Sequence, residues 1–216
     1  MFMDWSFWEA AFEQFLVAQL AGADGAHDLA HVERVVTSAK KLARAEGADL
    51  AVVIPAAWLH DCVTVAKDSP ERHLASRLAA DTAVSHLSHL NYPTQHYNAI
   101  HHAIAAHSFT AKITPETVEA KVVQDADRLD AIGAIGIARC LIVGGELKRP
   151  LYHPHEPLPH TRQADDRLYT IDHFYTKLFK LVGTMQTAAG RAEAERRTQF
   201  MKLYLQQLES EITPSQ

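Results

Sequence analysis

Residues 54–61, Ile-Pro-Ala-Ala-Trp-Leu-His-Asp, run an apolar helical stretch straight into an imidazole and a carboxylate. Burying His60 and Asp61 behind Ala56, Ala57, Trp58 and Leu59 is costly unless a partner of opposite character compensates. A divalent cation does so for both at once, because it takes a neutral imidazole and a carboxylate as ligands together. That chemistry requires further His and Asp side chains arriving from other helices. His31 lies about thirty residues earlier, and Asp125, Asp127 and Asp130 lie on a later helical pattern. With Asp28 as N-cap, His31 falls at N3, where a capping box carries Glu or Gln, so by itself it reads as a surface residue. Periodicity sets Asp125 on the stripe of Val118, Val122 and Leu129, and it sets Asp127 and Asp130 beside Val123. Spacing does not choose among the three.

The elements that must position these groups are helical throughout. Trp5, Trp8, Phe12, Phe15, Leu16 and Leu20 recur at helical steps over residues 4–20, an amphipathic cover helix broken by Gly22 and Gly25. The next helix carries Val32, Val35, Val36, Ala39 and Leu42 and ends near Gly47. Asp49 caps the helix leading to His60, and Pro55 within it predicts a kink or a restart one turn before the imidazole. Ser69-Pro70-Glu71 opens a helix running to about Leu90, closed by Asn91 and Pro93. Lys67 and Arg72 flank that helix start, where free N–H groups favour anions, so both are candidate phosphate-binding residues. Residues 94–107 bear His96, His101, His102 and His107. Thr114-Pro115-Glu116-Thr117 opens the helix with the three aspartates, and a small-residue helix from Ile132 to Val143 is ended by Gly144-Gly145. Two last helices span about 170–187 and 191–212. No strand alternation, repeat or glycine-rich nucleotide loop is present. The chain divides into a cover helix (1–25), a core (26–143), a Pro/His-rich loop (144–169) and a C-terminal helical pair (170–216), all within one domain. A loop of that length is either a lid or disordered.

Composition narrows the function classes. With 216 residues, 47% apolar and 22% charged, the chain can bury one sizeable core. A net charge of −5 provides no basic field for a nucleic-acid polymer. The N-terminus lacks a basic leader segment, and no run approaches the ~20 apolar residues of a membrane span. Two cysteines need no disulfide framework, and the protein reads as cytoplasmic. The excess is in histidine, 14 in all, clustered in a few places.

The order His31, His60-Asp61, then a later Asp resembles the HD-domain metal-dependent phosphohydrolases, an all-α superfamily of helical bundles, here with a C-terminal helical extension. The phrases that carry the resemblance are His-Asp-Leu-Ala-His-Val-Glu-Arg-Val, Leu-His-Asp-Cys, Lys-Asp-Ser-Pro-Glu-Arg and Gln-Asp-Ala-Asp-Arg-Leu-Asp-Ala-Ile-Gly-Ala-Ile-Gly, from His27 to Arg139. With His173-Phe-Tyr-Thr-Lys-Leu they are similar to a bacterial branch that includes nucleoside triphosphate pyrophosphohydrolases. Gly-Tyr-Pro, the mark of the dinuclear branch that cleaves cyclic dinucleotides, is missing. Where guanosine-tetraphosphate hydrolases carry Glu-Asp, this chain has Lys67-Asp68.

The resemblance implies metal ligands His31, His60, Asp61 and Asp127, with Asp125 as second choice for the last. Two imidazoles and two carboxylates suit an octahedral Mn, Fe, Ni or Mg ion better than a closed structural zinc site. Two positions then stay open for solvent and a phosphate oxygen. Arg34, one turn after His31, is placed to meet a phosphate or hold a ligand carboxylate. His101 and His107 are candidate proton donors or oxyanion stabilisers. The implied activity is hydrolysis of phosphoester or phosphoanhydride bonds in a nucleotide. The rival is a nucleotide- or metal-sensing module with incidental or lost hydrolysis.

Overall fold

The computed structural model describes residues 4–19, 29–63, 65 and 69–212, and among them there are helices and no strands. The all-α expectation therefore holds. These residues form two compact units. The first comprises the chain up to Asp127 with Gln186–Gly190, and the second comprises Arg128–Met185 with the chain from Arg191 onward.

At the centre of the first unit is α3 (Leu50–Leu59), apolar on every side, with all residues from Ala51 to Leu59 buried. A helix of that character must be surrounded. It packs against α1 (Trp5–Gln19), α2 (Leu29–Glu46), α4 (Ala75–His89) and α5 (Tyr97–His107). The fully buried Phe12 and Leu16 mark the inner face of α1, whose Glu9 accepts from the Trp58 indole (3.1 Å) and pairs with Lys40 (2.6 Å). Gly47, at φ +69°, ends α2 with a bond from Ala48 N to Ala43 O, and Asn91, at φ +56°, ends α4. The Asp49 carboxylate caps α3 through Ala51 N (2.8 Å). The caps proposed at Asp28, Gly22 and Gly25 lie outside the described residues.

α3 runs unbroken through Pro55, so the expected restart does not occur. Proline has no N–H, which deprives the Ala51 carbonyl of its intrahelical donor. The Tyr92 hydroxyl donates to that carbonyl instead, at 2.7 Å. Tyr92 is 1% exposed, and burial pushes its phenol well above the ordinary range. Tyr92→Phe strands a buried carbonyl and should lower stability by about 1–3 kcal/mol in denaturant titration. An unchanged midpoint would show that the carbonyl has another donor.

Several boundaries differ from the sequence-based expectation. The helix expected from Ser69 begins as a 3-10 turn (Pro70–Leu74) before α4. The one expected at Thr114-Pro115 begins later, as α6 (Val118–Asp130), with Thr117 Oγ1 accepting from Ala120 N. Ahead of it, Glu116 N donates to the His102 ring (3.0 Å). In the second unit α7 (Gly133–Glu146) passes through Gly144 and Gly145. A side chain at 144 would collide with Thr170, so glycine there serves close approach and not termination.

The Pro/His-rich segment of the second unit is tied down by an ion pair and by backbone bonds. Arg162 makes a two-pronged bond to the buried Asp172 (2.5 and 2.6 Å), and the backbone joins Thr170 to Pro150 and Ile171 to Leu151. Glu156 accepts from Thr161 and Arg162 N, so the Pro/His-rich segment is closed upon itself. The helix expected over 170–187 is a short α8 (Asp172–Thr176) followed by a 3-10 stretch (Leu178–Thr184). α9 (Ala188–Ile212) starts three residues before its expected position.

Candidate metal centre

Two helices of the first unit end in a histidine whose ring is fixed by its own helix. His60 is the C-cap residue of α3, and its Nδ1 donates to Ala57 O at 2.8 Å. His107 is the last residue of α5, and its Nδ1 donates to Ile104 O at 2.7 Å. Carbonyls in the last turn of a helix lack intrahelical donors, so each ring satisfies one and is oriented by it. A proton used at Nδ1 leaves Nε2 to act outward, the usual arrangement behind a metal-binding imidazole.

The outward nitrogens meet two carboxylates. His60 Nε2 stands 3.5 Å from Asp61 Oδ2 and 3.9 Å from Asp127 Oδ1. His31, 2% exposed in the first turn of α2, places Nε2 3.6 Å from Asp127 Oδ1 and 4.0 Å from Asp61 Oδ2. His107 Nε2 lies 3.4 Å from the other Asp61 oxygen, Oδ1. Metal-ligating atoms of His31, His60 and Asp127 all lie within 4.8 Å of one another, as do those of His60, Asp61 and His107.

Asp61 and Asp127 side chains are about 30% and 29% exposed, whereas the imidazoles are buried, so the carboxylates form the open rim. Burial lowers the His60 pKa against the opposing pull of Asp61. Burial acts the same way on His107, but its bond to Asp61 prevails and raises it. The Asp61 carboxyl is held well below the usual range against its partial desolvation, by His60 first and then His107. The neighbouring Cys62 thiol is pushed up to about 12 by burial and donates to Ala79 O.

His60 Nε2 is buried and has no hydrogen-bond partner among the described residues. A fully buried imidazole with an unused lone pair facing carboxylates is what a cation would satisfy. The donor set thus fits a divalent ion.

The three acids of α6 separate by environment. Asp127 reaches the cluster. Asp125 is fully buried and accepts from Gln186 N, Thr187 N and Thr187 Oγ1. Asp130 pairs with Arg139 at 2.5 Å. His101 is not brought to the cluster: its Nε2 pairs with Asp81 at 2.9 Å, on a part-exposed face. Arg72 is half-buried and donates to Val65 O (2.6 Å), Arg34 is half-buried one turn after His31, and Lys67 lies outside the described residues.

Residues that the sequence reading missed hold the end of α5. Three successive carbonyls there each receive a side-chain donor: Ile104 O from His107, Ala105 O from Ser76 Oγ (2.9 Å) and Ala106 O from Gln124 Nε2 (2.7 Å). The only local signal was the small, apolar character of that turn.

The family model for the HD domain matches residues 28–132. The Bacillus subtilis protein YpgQ is 34% identical over 197 residues, covering 89% of this chain and 88% of YpgQ. A solved HD-superfamily hydrolase from Bacillus thuringiensis superposes with a TM-score of 0.75 at 32% identity, over 99% of this chain and 100% of that one. The B. subtilis YpgQ structure in complex with ADP superposes at 0.70 with 32% identity, over 96% of this chain and 97% of that one. No helix among the described residues is long and apolar enough to cross a membrane.

Proposed function

Since this chain belongs to the HD domain family, we propose that it is a divalent-metal-dependent phosphohydrolase of nucleotides, and within that class a nucleoside triphosphate pyrophosphohydrolase. The observation that carries this reading is the buried, partnerless His60 Nε2 facing the carboxylates of Asp61 and Asp127. His31, His60, Asp61 and Asp127 would hold the ion, and their mixed nitrogen and oxygen donors suit Mn, Fe, Ni or Mg. When bound, such an ion supplies Lewis acidity for the phosphate oxygens and lowers the pKa of water. The ADP complex of YpgQ supports a nucleotide as the ligand class.

The chain's own groups divide the remaining work. Asp61 directs Oδ2 toward His31 and His60 and keeps Oδ1 beside His107, where it can orient the attacking water. His107, with Nδ1 spent on Ile104 O and its pKa raised by the bond to Asp61, is the group that can bring a proton at Nε2 to the departing oxygen. Arg34 is the cation nearest in sequence to His31 and is assigned to the phosphate chain.

A panel of nucleoside mono-, di- and triphosphates with Mn²⁺ tests this. Pyrophosphate and a monophosphate from triphosphates, lost in Asp61→Ala, is the expected result. Phosphate alone would make it a phosphatase. Tight nucleotide binding without turnover would favour the sensing module.

A further inference from the structure

Gln124 is a buried polar residue with no part in the chemistry above. It is 3% exposed on α6, three residues before Asp127, and so lies within one helical turn of it. Its Nε2 donates to Ala106 O at 2.7 Å, while its Oε1 is buried and has no hydrogen-bond partner among the described residues. A half-satisfied buried amide is worse for stability than an apolar side chain of the same shape. Packing therefore does not account for an amide at this position.

Its one bond falls where the site is assembled. Ala106 immediately precedes His107, whose Nε2 meets Asp61 Oδ1 at 3.4 Å. Ser76 caps the same turn from α4, but Gln124 does so from α6, the helix that bears Asp127. Gln124 is thus a direct link between the Asp127 helix and the end of α5 that steadies Asp61. We infer that Gln124 is a positioning residue, setting the separation of Asp127 from the Asp61–His107 pair without touching ion or substrate. The inference rests on the reading that Asp61 and Asp127 hold a divalent ion.

Gln124→Met keeps the shape and removes both polar ends. The metal-free variant should melt within about 3 °C of wild type. Its Mn²⁺ affinity by titration calorimetry should fall about tenfold, the visible absorption bands of the Co²⁺-loaded protein should shift, and kcat should fall with KM unchanged. Wild-type affinity and an unaltered Co²⁺ spectrum would overturn the inference, as would a large loss of Tm with the affinity intact. Should the methionine variant fail to fold, Gln124→Leu is measured in the same way. A wild-type protein that binds no Mn²⁺ brings down the hydrolase reading and this inference with it, whereas wild-type binding with an indifferent variant brings down this one alone.

Discussion

Asp127→Asn is expected to abolish tight Mn²⁺ binding and to slow nucleotide hydrolysis by at least about 100-fold, without lowering the melting temperature of the metal-free protein. The Asp127 carboxylate comes from α6 to within 3.6 Å of His31 Nε2 and 3.9 Å of His60 Nε2. An amide of the same shape keeps the contacts but withdraws one of two negative charges from the rim, and it is a much poorer ligand for a hard cation. In the metal-free fold the Asp127 contacts to His31 and His60 are long and its side chain is 29% exposed, so the amide costs little there. Stability and metal affinity therefore move independently. Calorimetric titration with Mn²⁺ and a thermal melt in chelator make the two measurements. Retention of wild-type affinity would show that the ion, if any, is held by His60, Asp61 and His107 instead.

His60 and Asp61 were legible because an apolar run ending in two ionisable groups has few physical solutions. The all-α class and the caps at Asp49, Gly47 and Asn91 were legible for the same reason: each is decided within a few residues. What could not be read depends on partners distant in sequence. Asp125 and Asp127 sit two residues apart on one helix, and what separates their tasks is the backbone of Gln186 and Thr187, some sixty residues on. His101 and His107 looked equivalent, but the second ends its helix and turns back on Ile104 O, while the first lies beside Asp81 on α4. Pro55 did carry a usable signal. It required a donor for Ala51 O, although not that the donor would be Tyr92, which lies forty-one residues away. Gln124 heads the phrase Gln-Asp-Ala-Asp-Arg-Leu, but the phrase does not say what its amide meets until the helix end opposite it is known.

The acid two residues before Asp127 should behave in the opposite way. Asp125→Asn is expected to cost about 2–3 kcal/mol of stability while leaving Mn²⁺ stoichiometry unchanged at low temperature. The Asp125 carboxylate, fully buried, takes Gln186 N (2.9 Å), Thr187 N (2.8 Å) and Thr187 Oγ1 (2.7 Å) at the start of α9. Thr187 Oγ1 in turn accepts from Gly190 N, and Ala189 N is held by Glu46 (2.6 Å). An anion at a helix start is favoured by the free N–H groups and by the helix dipole. Glycine at 190 admits it, since a Cβ there would collide with Asp125 Oδ2. Asparagine withdraws the negative charge that the three donors share and turns its NH₂ on the Gln186 N–H, which itself donates to Asp125 Oδ1. For a chain of this length the loss should lower Tm by roughly 5–10 °C. If Asp125→Asn instead melts like wild type and fails to bind Mn²⁺, the ligand from α6 is Asp125, and the site is assembled differently from the geometry described above.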